Sequence, residues 1–420
     1  MKVCVVGSGG REHALAHALA RSAEVVVTPG NPGIPGSVPT PPAEIDADLF
    51  VIGPEIPLVA GLADSLRAQG KLVFGPGADG ARLEGSKAWM KEVLVEAGVP
   101  TARYGAFTEA GPALAFLDTL DGLYVVKTDG LAAGKGVIVT ESVADARDAV
   151  HEFISGRAFG DAGHTVVIEE GLTGPELSVL AVCDGHRAVA LAPAQDFKRV
   201  GDGDEGPNTG GMGAYSPVPG VGPDVMSLVM DEAVEPTLAA LRARGIDYRG
   251  VLYAGLMLTP AGPKMLEYNV RFGDPETQVV LPRLSTDLAD LLAEAAAGEL
   301  RSEPGFVDEA AVTVVCASPG YPQAPQTGAV IEGLDRARAV DGVTIFSAGV
   351  ASDAAGRLVT AGGRVLDVTA MGPDLATARA RAYEAVGHLH WPGLHARSDI
   401  AEAAAIVEHD QFQANNSRGG

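Results

Sequence analysis

The chain has 420 residues, 46% of them apolar, which is ample for several hydrophobic cores in roughly two to four domains. Its 31 basic and 54 acidic side chains leave a net charge of −23, which repels nucleic acid and anionic lipid, so neither is expected as a partner. Phosphate ligands are not excluded, because backbone N–H groups, a few cations and a metal hold them locally.

Cys4, Cys183 and Cys316 each sit in an apolar strand-like run and read as small buried hydrophobes of a reducing compartment. Only four apolar residues separate Lys2 from Gly7, and no run of about 18 apolar residues occurs, so a cytoplasmic location is expected.

From residue 2 to 77 short β runs alternate with helical stretches: KVCVV, then Arg11 to Ala20, EVVVT, DLFVIG, Leu58 to Gln69, and KLVFG. Such alternation predicts a parallel sheet covered by helices, with ligands at the carboxyl ends of its strands, where GSGG, PGNPGIPG and GPEIPLV lie. GSGG opening a helix predicts an anion cradle, with a plain Gly-rich turn as the competing reading. It is not a dinucleotide fingerprint, since Glu12 stands where the third glycine belongs and no acid ends the second strand.

Residues 85 to 97 predict a helix capped by Ser86 and ended at Gly98-Val99-Pro100. LYVVKTDGLAAGKGVIVT predicts two strands around a glycine loop, with Lys127 before the loop and Lys135 inside it; this is the shape of a lid over nucleotide phosphates. VVIEEGL predicts a strand ending in two acids, and ELSVLAVCDGHRAVALA a hairpin turning at Asp184-Gly185. Ala194 to Pro217 is too rich in glycine for regular structure and too mixed in chemistry, with Asp196, Lys198, Arg199, Asn208, Thr209 and Met212, for a linker. A helical stretch from 224 to 244 and the strand GVLYAGLML follow.

The returning strand, KMLEYNVRFGDPETQ, carries the densest chemistry. Strand alternation puts Glu267, Asn269 and Arg271 on one face, and Leu266, Tyr268, Val270 and Phe272 on the other. A carboxylate and a carboxamide two residues apart offer oxygen to a hard cation, and the arginine offers a planar fork to a carboxylate or phosphate. From Glu303 onward AAVTVVCA, VTIFSAGV and GGRVLDVTA predict strands and Asp374 to His388 a helix, a small α+β unit covering the site with no clustered titratable groups beyond Asp353 and Asp367. Gln413 to Gly420 is expected to be disordered.

Taken in order, GSGGREHA, PGNPG, VIGPE, EGSKA, VVKTDGLAAGKGV, VVIEE, AQDFKRVGDGDEGPNTGGMGAYSP, LEYNVRFGDPETQ and GGRVLDVTA make the chain, from Val3 to about Ile400, closely resemble the phosphoribosylamine glycine ligase (glycinamide ribonucleotide synthetase) family of the ATP-grasp superfamily. The resemblance implies a mixed α/β and α+β protein: an N-terminal parallel α/β domain (1–97), a central ATP-grasp domain (98–302, lid roughly 120–185), a small C-terminal α+β domain (303–405) and a tail (406–420). It implies ATP with Mg2+ or Mn2+, and ligation of glycine to 5-phosphoribosylamine through glycyl phosphate, by a monomer or weak dimer.

Carried over motif by motif, Lys87, Lys127, Lys135 and Gly136 meet the ATP phosphates, and Glu169, Glu170, Leu172 and Glu176 hold adenine and ribose. Glu267 and Asn269 bind metal; Gly9, Gly10, Arg11, Asn31 and Gly33 seat the sugar phosphate; Asp196, Lys198, Asn208, Thr209 and Gly210 line the substrate loop. Arg271, Asp274 and Lys127 form the catalytic set. Three positions depart from the family pattern: Phe197 for a usual His, Thr128 for a usual Ala and Pro32 for a usual Ala. Two alternatives remain, a related ATP-grasp carboxylase, which should lack the PNTGGMGAYSP loop, and a silent nucleotide-binding regulator, which should have lost Glu267 or Asn269.

Overall fold

A computed structural model describes residues 1–130, 136–156 and 164–418. The amino-terminal sheet is parallel throughout, with strands ordered Glu24–Pro29, Lys2–Gly7, Leu49–Ile52, Val73–Phe74. Val3, Val5, Leu49 and Val51 pack with the helix Gly10–Leu19 through Leu15 and Leu19, as expected for a sheet covered by helices. The helix Lys87–Ala97 starts at Ser86, whose side chain accepts from the Trp89 N–H, and stops at Gly98 in the left-handed conformation.

The middle of the chain builds two antiparallel four-stranded sheets. One is ordered Tyr104–Phe107, Val166–Glu170, Tyr124–Thr128, Val137–Thr140, and the other Ala188–Ala190, Glu176–Asp184, Arg249–Thr259, Gly262–Asn269. The hairpin turn is set by Asp184, which accepts from the N–H groups of His186 and Arg187. Lys135 lies outside the described residues.

Three expectations are corrected. Ala194 to Pro217 does contain regular structure: Gln195–Asp196 and Gly213–Ser216 enter a five-stranded sheet completed by Ala310–Ala317, Arg364–Gly372 and Val343–Ser347, while Arg199–Gly201 pairs with Glu205–Asn208. Gly203, Gly210 and Gly211 lie between these short strands while Gly201, Gly206 and Gly213 lie within them, so density in glycine did not mean an absence of pairing. Along Gly262–Asn269 the alternation breaks, because Gly255 pairs with Glu267 while Leu256 pairs with Met265. Leu266 is the extra residue of a bulge, and Met265 takes the buried place expected of it. The tail is helical, Glu402–Arg418, docked by buried Ala404 and by Glu408 accepting from the Leu375 N–H; good helix formers such as Ala, Glu and Gln continue it.

Candidate active site

The strand Gly262–Asn269 and the turn after it bring three groups of charges together. At the first, Lys127, on the strand Tyr124–Thr128, and Lys91, on the helix Lys87–Ala97, share one carboxylate. Glu169 Oε1 lies 2.8 Å from Lys127 Nζ and Oε2 lies 2.8 Å from Lys91 Nζ, all three side chains being buried. Burial pushes the Glu169 pKa up, but the two ammonium groups outweigh it and hold the carboxyl below its ordinary range. Burial lowers Lys91 to about 8 against the pull of Glu169, whereas the same carboxylate and Glu267 overcome burial at Lys127 and raise it. Lys87 donates to the Gly130 carbonyl at 2.9 Å; burial lowers its pKa and Glu267 opposes that. Lys87, Lys127 and Glu267 therefore form one electrostatic neighbourhood. Lys91 was missed, although Lys87 and Lys91 stand four residues apart on one helix face.

The second group surrounds Arg271. Its Nη2 donates to Glu84 Oε1 at 3.0 Å and to Asn269 Oδ1 at 3.2 Å, and Glu55 Oε2 lies 3.5 Å from Nε. Burial opposes its charge, but Glu84 and Glu55 more than compensate and hold the guanidinium protonated. Glu84 is itself pushed up by burial, and Arg271 moderates that. Arg271 Nε is buried without a hydrogen bond.

The third group joins the turn after Asn269 to the C-terminal sheet. Arg364 Nη2 lies 2.8 Å from Asp274 Oδ2, and its Nη1 donates to the Asp274 and Gly210 carbonyls at 2.9 and 2.6 Å. Gln278 Nε2 donates to Asp274 Oδ1 at 2.8 Å and to Asp367 Oδ2 at 2.9 Å. Arg364, Gln278 and Asp367 were not among the expected site residues; Asp367 was noted only as an isolated acid, since nothing in its own segment shows that the sheet delivers it to Gly10. An added Cβ on Gly10 would stand 1.7 Å from Asp367 Oδ2.

The substrate loop arrives beside these groups. Lys198 Nζ lies 2.7 Å from both Asp196 and Glu176, so Glu176 is tied to this loop. The Thr209 N–H and hydroxyl both donate to the Lys198 carbonyl, at 2.7 and 2.9 Å, Asn208 ends the adjoining strand half-buried, and the Gly210 N–H donates to the Tyr321 hydroxyl at 3.0 Å. Tyr253 bridges inward, donating to Glu276 Oε1 at 2.5 Å and sharing a hydrogen bond with Ser178 at 2.8 Å.

Several expected residues hold the fold together. Arg11 is buried, donating to Glu12 Oε1 at 2.6 Å and to the Phe272 carbonyl at 3.3 Å, while the Gly9 N–H donates to Glu12 Oε2 at 2.6 Å. The anion cradle expected at GSGG thus has one donor already satisfied within the chain. The Asn31 amide donates to the carbonyls of Ser8, Ser347 and Ala348 at 2.8, 3.2 and 3.0 Å, and its Oδ1 accepts from the Gly33 N–H at 2.8 Å, which joins the first two loops to the C-terminal sheet. His13, lowered to about 4 chiefly by burial, stays neutral and accepts from the Ser347 N–H at 2.8 Å. Glu170 accepts from the Arg103 N–H at 3.0 Å and lies 3.6 Å from Lys264; Leu172 is half-buried in the following loop, and the Gly136 carbonyl accepts from the Thr128 N–H at 2.8 Å.

Among the described residues no cluster of three or more His, Cys, Asp or Glu can hold a metal. Glu267 and Asn269 share a strand face opposite Gly255 and Tyr253, and both are half-exposed. Two oxygen donors fit a hard cation that takes its other ligands from water and phosphate, and the Asn269 carbonyl keeps a lone pair beyond its bond from Arg271. A surface cavity of about 630 Å³ lies elsewhere, lined by Arg336, Arg338 and Arg357 among others and by none of these groups.

Four buried polar atoms without hydrogen bonds, Arg271 Nε, Glu276 Oε2, Gln278 Oε1 and Asp367 Oδ1, sit on this turn and its C-terminal neighbour. Leaving such groups unmade costs about 1–3 kcal/mol each.

A biotin carboxylase structure from Campylobacter jejuni, 15% identical, superposes with a TM-score of 0.69 over 99% of this chain and 96% of that one, which shows a shared fold alone. A phosphoribosylamine–glycine ligase structure from Thermotoga maritima reaches a TM-score of 0.85 at 37% identity, over 96% of this chain and all of that one. The architecture is of the ATP-grasp class. Residues 1–84, 85–277 and 311–403 match the N, ATP-grasp (A) and C domains of phosphoribosylglycinamide synthetase. A phosphoribosylamine–glycine ligase of Xanthomonas axonopodis pv. citri is 49% identical over 97% of this chain and 99% of its own length, and one of Caulobacter vibrioides is 49% identical over 95% and 97%. The chain belongs to the phosphoribosylglycinamide synthetase family.

Proposed function

We propose that this protein ligates glycine to 5-phosphoribosylamine at the expense of ATP, through glycyl phosphate, in purine biosynthesis. The observation that carries this reading is that one strand and its turn, Glu267 to Gln278, join a lysine cluster to a buried polar turn held between the C-terminal sheet and the GSGG turn. Lys87 and Lys127 meet the transferred phosphate, and Arg271, whose Nε makes no hydrogen bond and lies 3.5 Å from Glu55, takes the glycine carboxylate as it attacks. Glu267 and Asn269 would hold a divalent cation, Mg2+ or Mn2+, which would supply further neutralisation of phosphate charge. Asp274 and Asp196 with Lys198 orient the small substrates, and no nucleophilic side chain is needed. Alignment of the reactants supplies much of the acceleration, since aligned groups are worth about 7–11 kcal/mol.

The adenine and ribose face the strand end at Glu170 and Leu172, and the sugar phosphate lies towards Gly9, Gly10 and the PGN loop. Domain limits near 97 and 302, a monomeric or weakly dimeric state and a cytoplasmic location complete the reading; no described helix is long and apolar enough to cross a membrane. The test is ADP release that needs glycine and phosphoribosylamine together, with glycinamide ribonucleotide detected by mass. Release driven by bicarbonate instead would refute the ligase reading in favour of a carboxylase.

A further inference from the structure

Asp367 is 1% exposed, in the middle of the strand Arg364–Gly372, and its Oδ2 reaches the helix start at Gly10. One of its oxygens accepts from Gln278; the other is buried with no hydrogen bond, and so is Gln278 Oε1. The orientation of the Gln278 amide is fixed, because its Nε2 lies between two carboxylates and must be the donor there. Both atoms are acceptors, so what would satisfy them is a group that brings donors. An anionic phosphate does not suit them; a primary amine does, since each N–H can meet one acceptor.

We infer that Asp367 Oδ1 and Gln278 Oε1 receive the amine of the sugar substrate, and that Asp367 takes the proton this amine loses. The inference rests on the ligase reading above. In the step, the amine nitrogen bonds to the carbonyl carbon of glycyl phosphate, the bond from that carbon to the phosphate oxygen breaks, and inorganic phosphate leaves. The N–H proton passes to Asp367 Oδ1 and returns to solvent or phosphate. Phe197 leaves no imidazole in the substrate loop for this task.

The charges facing Asp367 are consistent with a base. Burial raises its pKa to about 7, Asp274 pushes it further, and Arg364 and the Gln278 hydrogen bond restrain it. Cys316, on the neighbouring strand, is buried as a thiol, Arg11 is turned towards Glu12, and Glu276 lies near Arg364. A base poised near neutrality is the kind that moves protons efficiently at pH 7.

The experiment compares two nucleophiles. Phosphoribosylamine needs its proton removed, whereas hydroxylamine traps glycyl phosphate as the hydroxamate without help. Asp367→Asn should lower kcat with phosphoribosylamine about a hundredfold or more, while glycine- and hydroxylamine-dependent ADP release stays within about threefold of wild type. The limb of the wild-type kcat profile that rises near pH 7 should vanish in the variant. Equal loss with both nucleophiles, no loss with either, or a raised KM at unchanged kcat would overturn the proton role. If the wild type forms no hydroxamate, it is the acyl phosphate reading that falls, and persistence of the pH limb in Asp367→Asn then decides against Asp367. Asp367→Ala serves for the same comparison should the asparagine variant not fold.

Discussion

Substituting Glu169 by glutamine keeps its shape and removes the one carboxylate that touches both Lys91 and Lys127. Breaking a buried ion pair by deleting one partner costs about 3–5 kcal/mol, because the other charge is stranded. Here there is an escape. Burial lowers Lys91 to about 8 even with its partner present, so giving up its proton at pH 7 costs about 1 kcal/mol, and less once Glu169 is gone. Lys127 retains the influence of Glu267. The expected loss at pH 7 is therefore about 2–3 kcal/mol, below the full penalty.

The sign of the pH dependence follows from the same lysine. A lysine depressed in the folded protein lacks a proton that the unfolded chain still holds, so raising the pH favours folding above the folded-state value. In the wild type that rise starts near 8; in Glu169→Gln, where the carboxylate no longer raises Lys91, it starts at lower pH. The stability gap should narrow as the pH rises towards 8, by on the order of 1 kcal/mol, and then stay level. Urea denaturation of both proteins at pH 6, 7, 8 and 9 measures this. A loss under about 0.5 kcal/mol at pH 7, or a gap that widens with pH, would refute the reasoning.

The metal pair gives a second prediction: Glu267→Gln should lower kcat about a hundredfold or more at saturating metal, and near-normal turnover in a steady-state assay would sink the assignment. Phe197 is half-buried and stacks under the Arg397 guanidinium at 4.7 Å, so Phe197→Ala should cost about 2–3 kcal/mol in denaturation, while Phe197→His leaves kcat within roughly tenfold; a larger gain would mean the loop wanted a base. Because the folded Asp367 keeps its proton to about pH 7 and the unfolded one releases it near 4, its charge weakens the fold increasingly across that window. Asp367→Asn should then be more stable than wild type at pH 8, by up to about 4 kcal/mol, with the difference gone at pH 4; equal melting curves at pH 8 would contradict the burial argument. Gly10→Ala must displace the Asp367 carboxylate, so calorimetry should show ATP affinity unchanged while the KM for phosphoribosylamine rises.

Local chemistry made much of this legible. The alternation of strands and helices in the first 77 residues, the Ser86 cap and the turn at Asp184 are each fixed by neighbours a few residues away. What escaped depends on distant pairing. The bulge at Leu266 follows from how the partner strand Arg249–Thr259 sits, and Arg364 meets Asp274 ninety residues away only because the five-stranded sheet brings them together. The roles expected of Arg11 and Asn31 drew on the motifs, whereas their hydrogen bonds reach Phe272 and Ser347, which no local pattern could show.

The cations of the site also explain how a chain of net charge −23 can prepare for a triphosphate. Lys91 and Lys127 are held by Glu169, Arg271 by Glu84 and Glu55, Lys198 by Asp196 and Glu176, and Arg364 by Asp274. Each carboxylate lowers the positive potential, which works against affinity, but it also fixes the direction of its cation before any ligand arrives. Electrostatic stabilisation depends more on groups already pointed at developing charge than on their number. Lys87 is the exception: among the described residues it has no carboxylate within ion-pair distance and donates to a backbone carbonyl. It loses least on turning to a phosphate, so the first charge to move on nucleotide binding should be Lys87, with the clamped cations receiving the ligand in place.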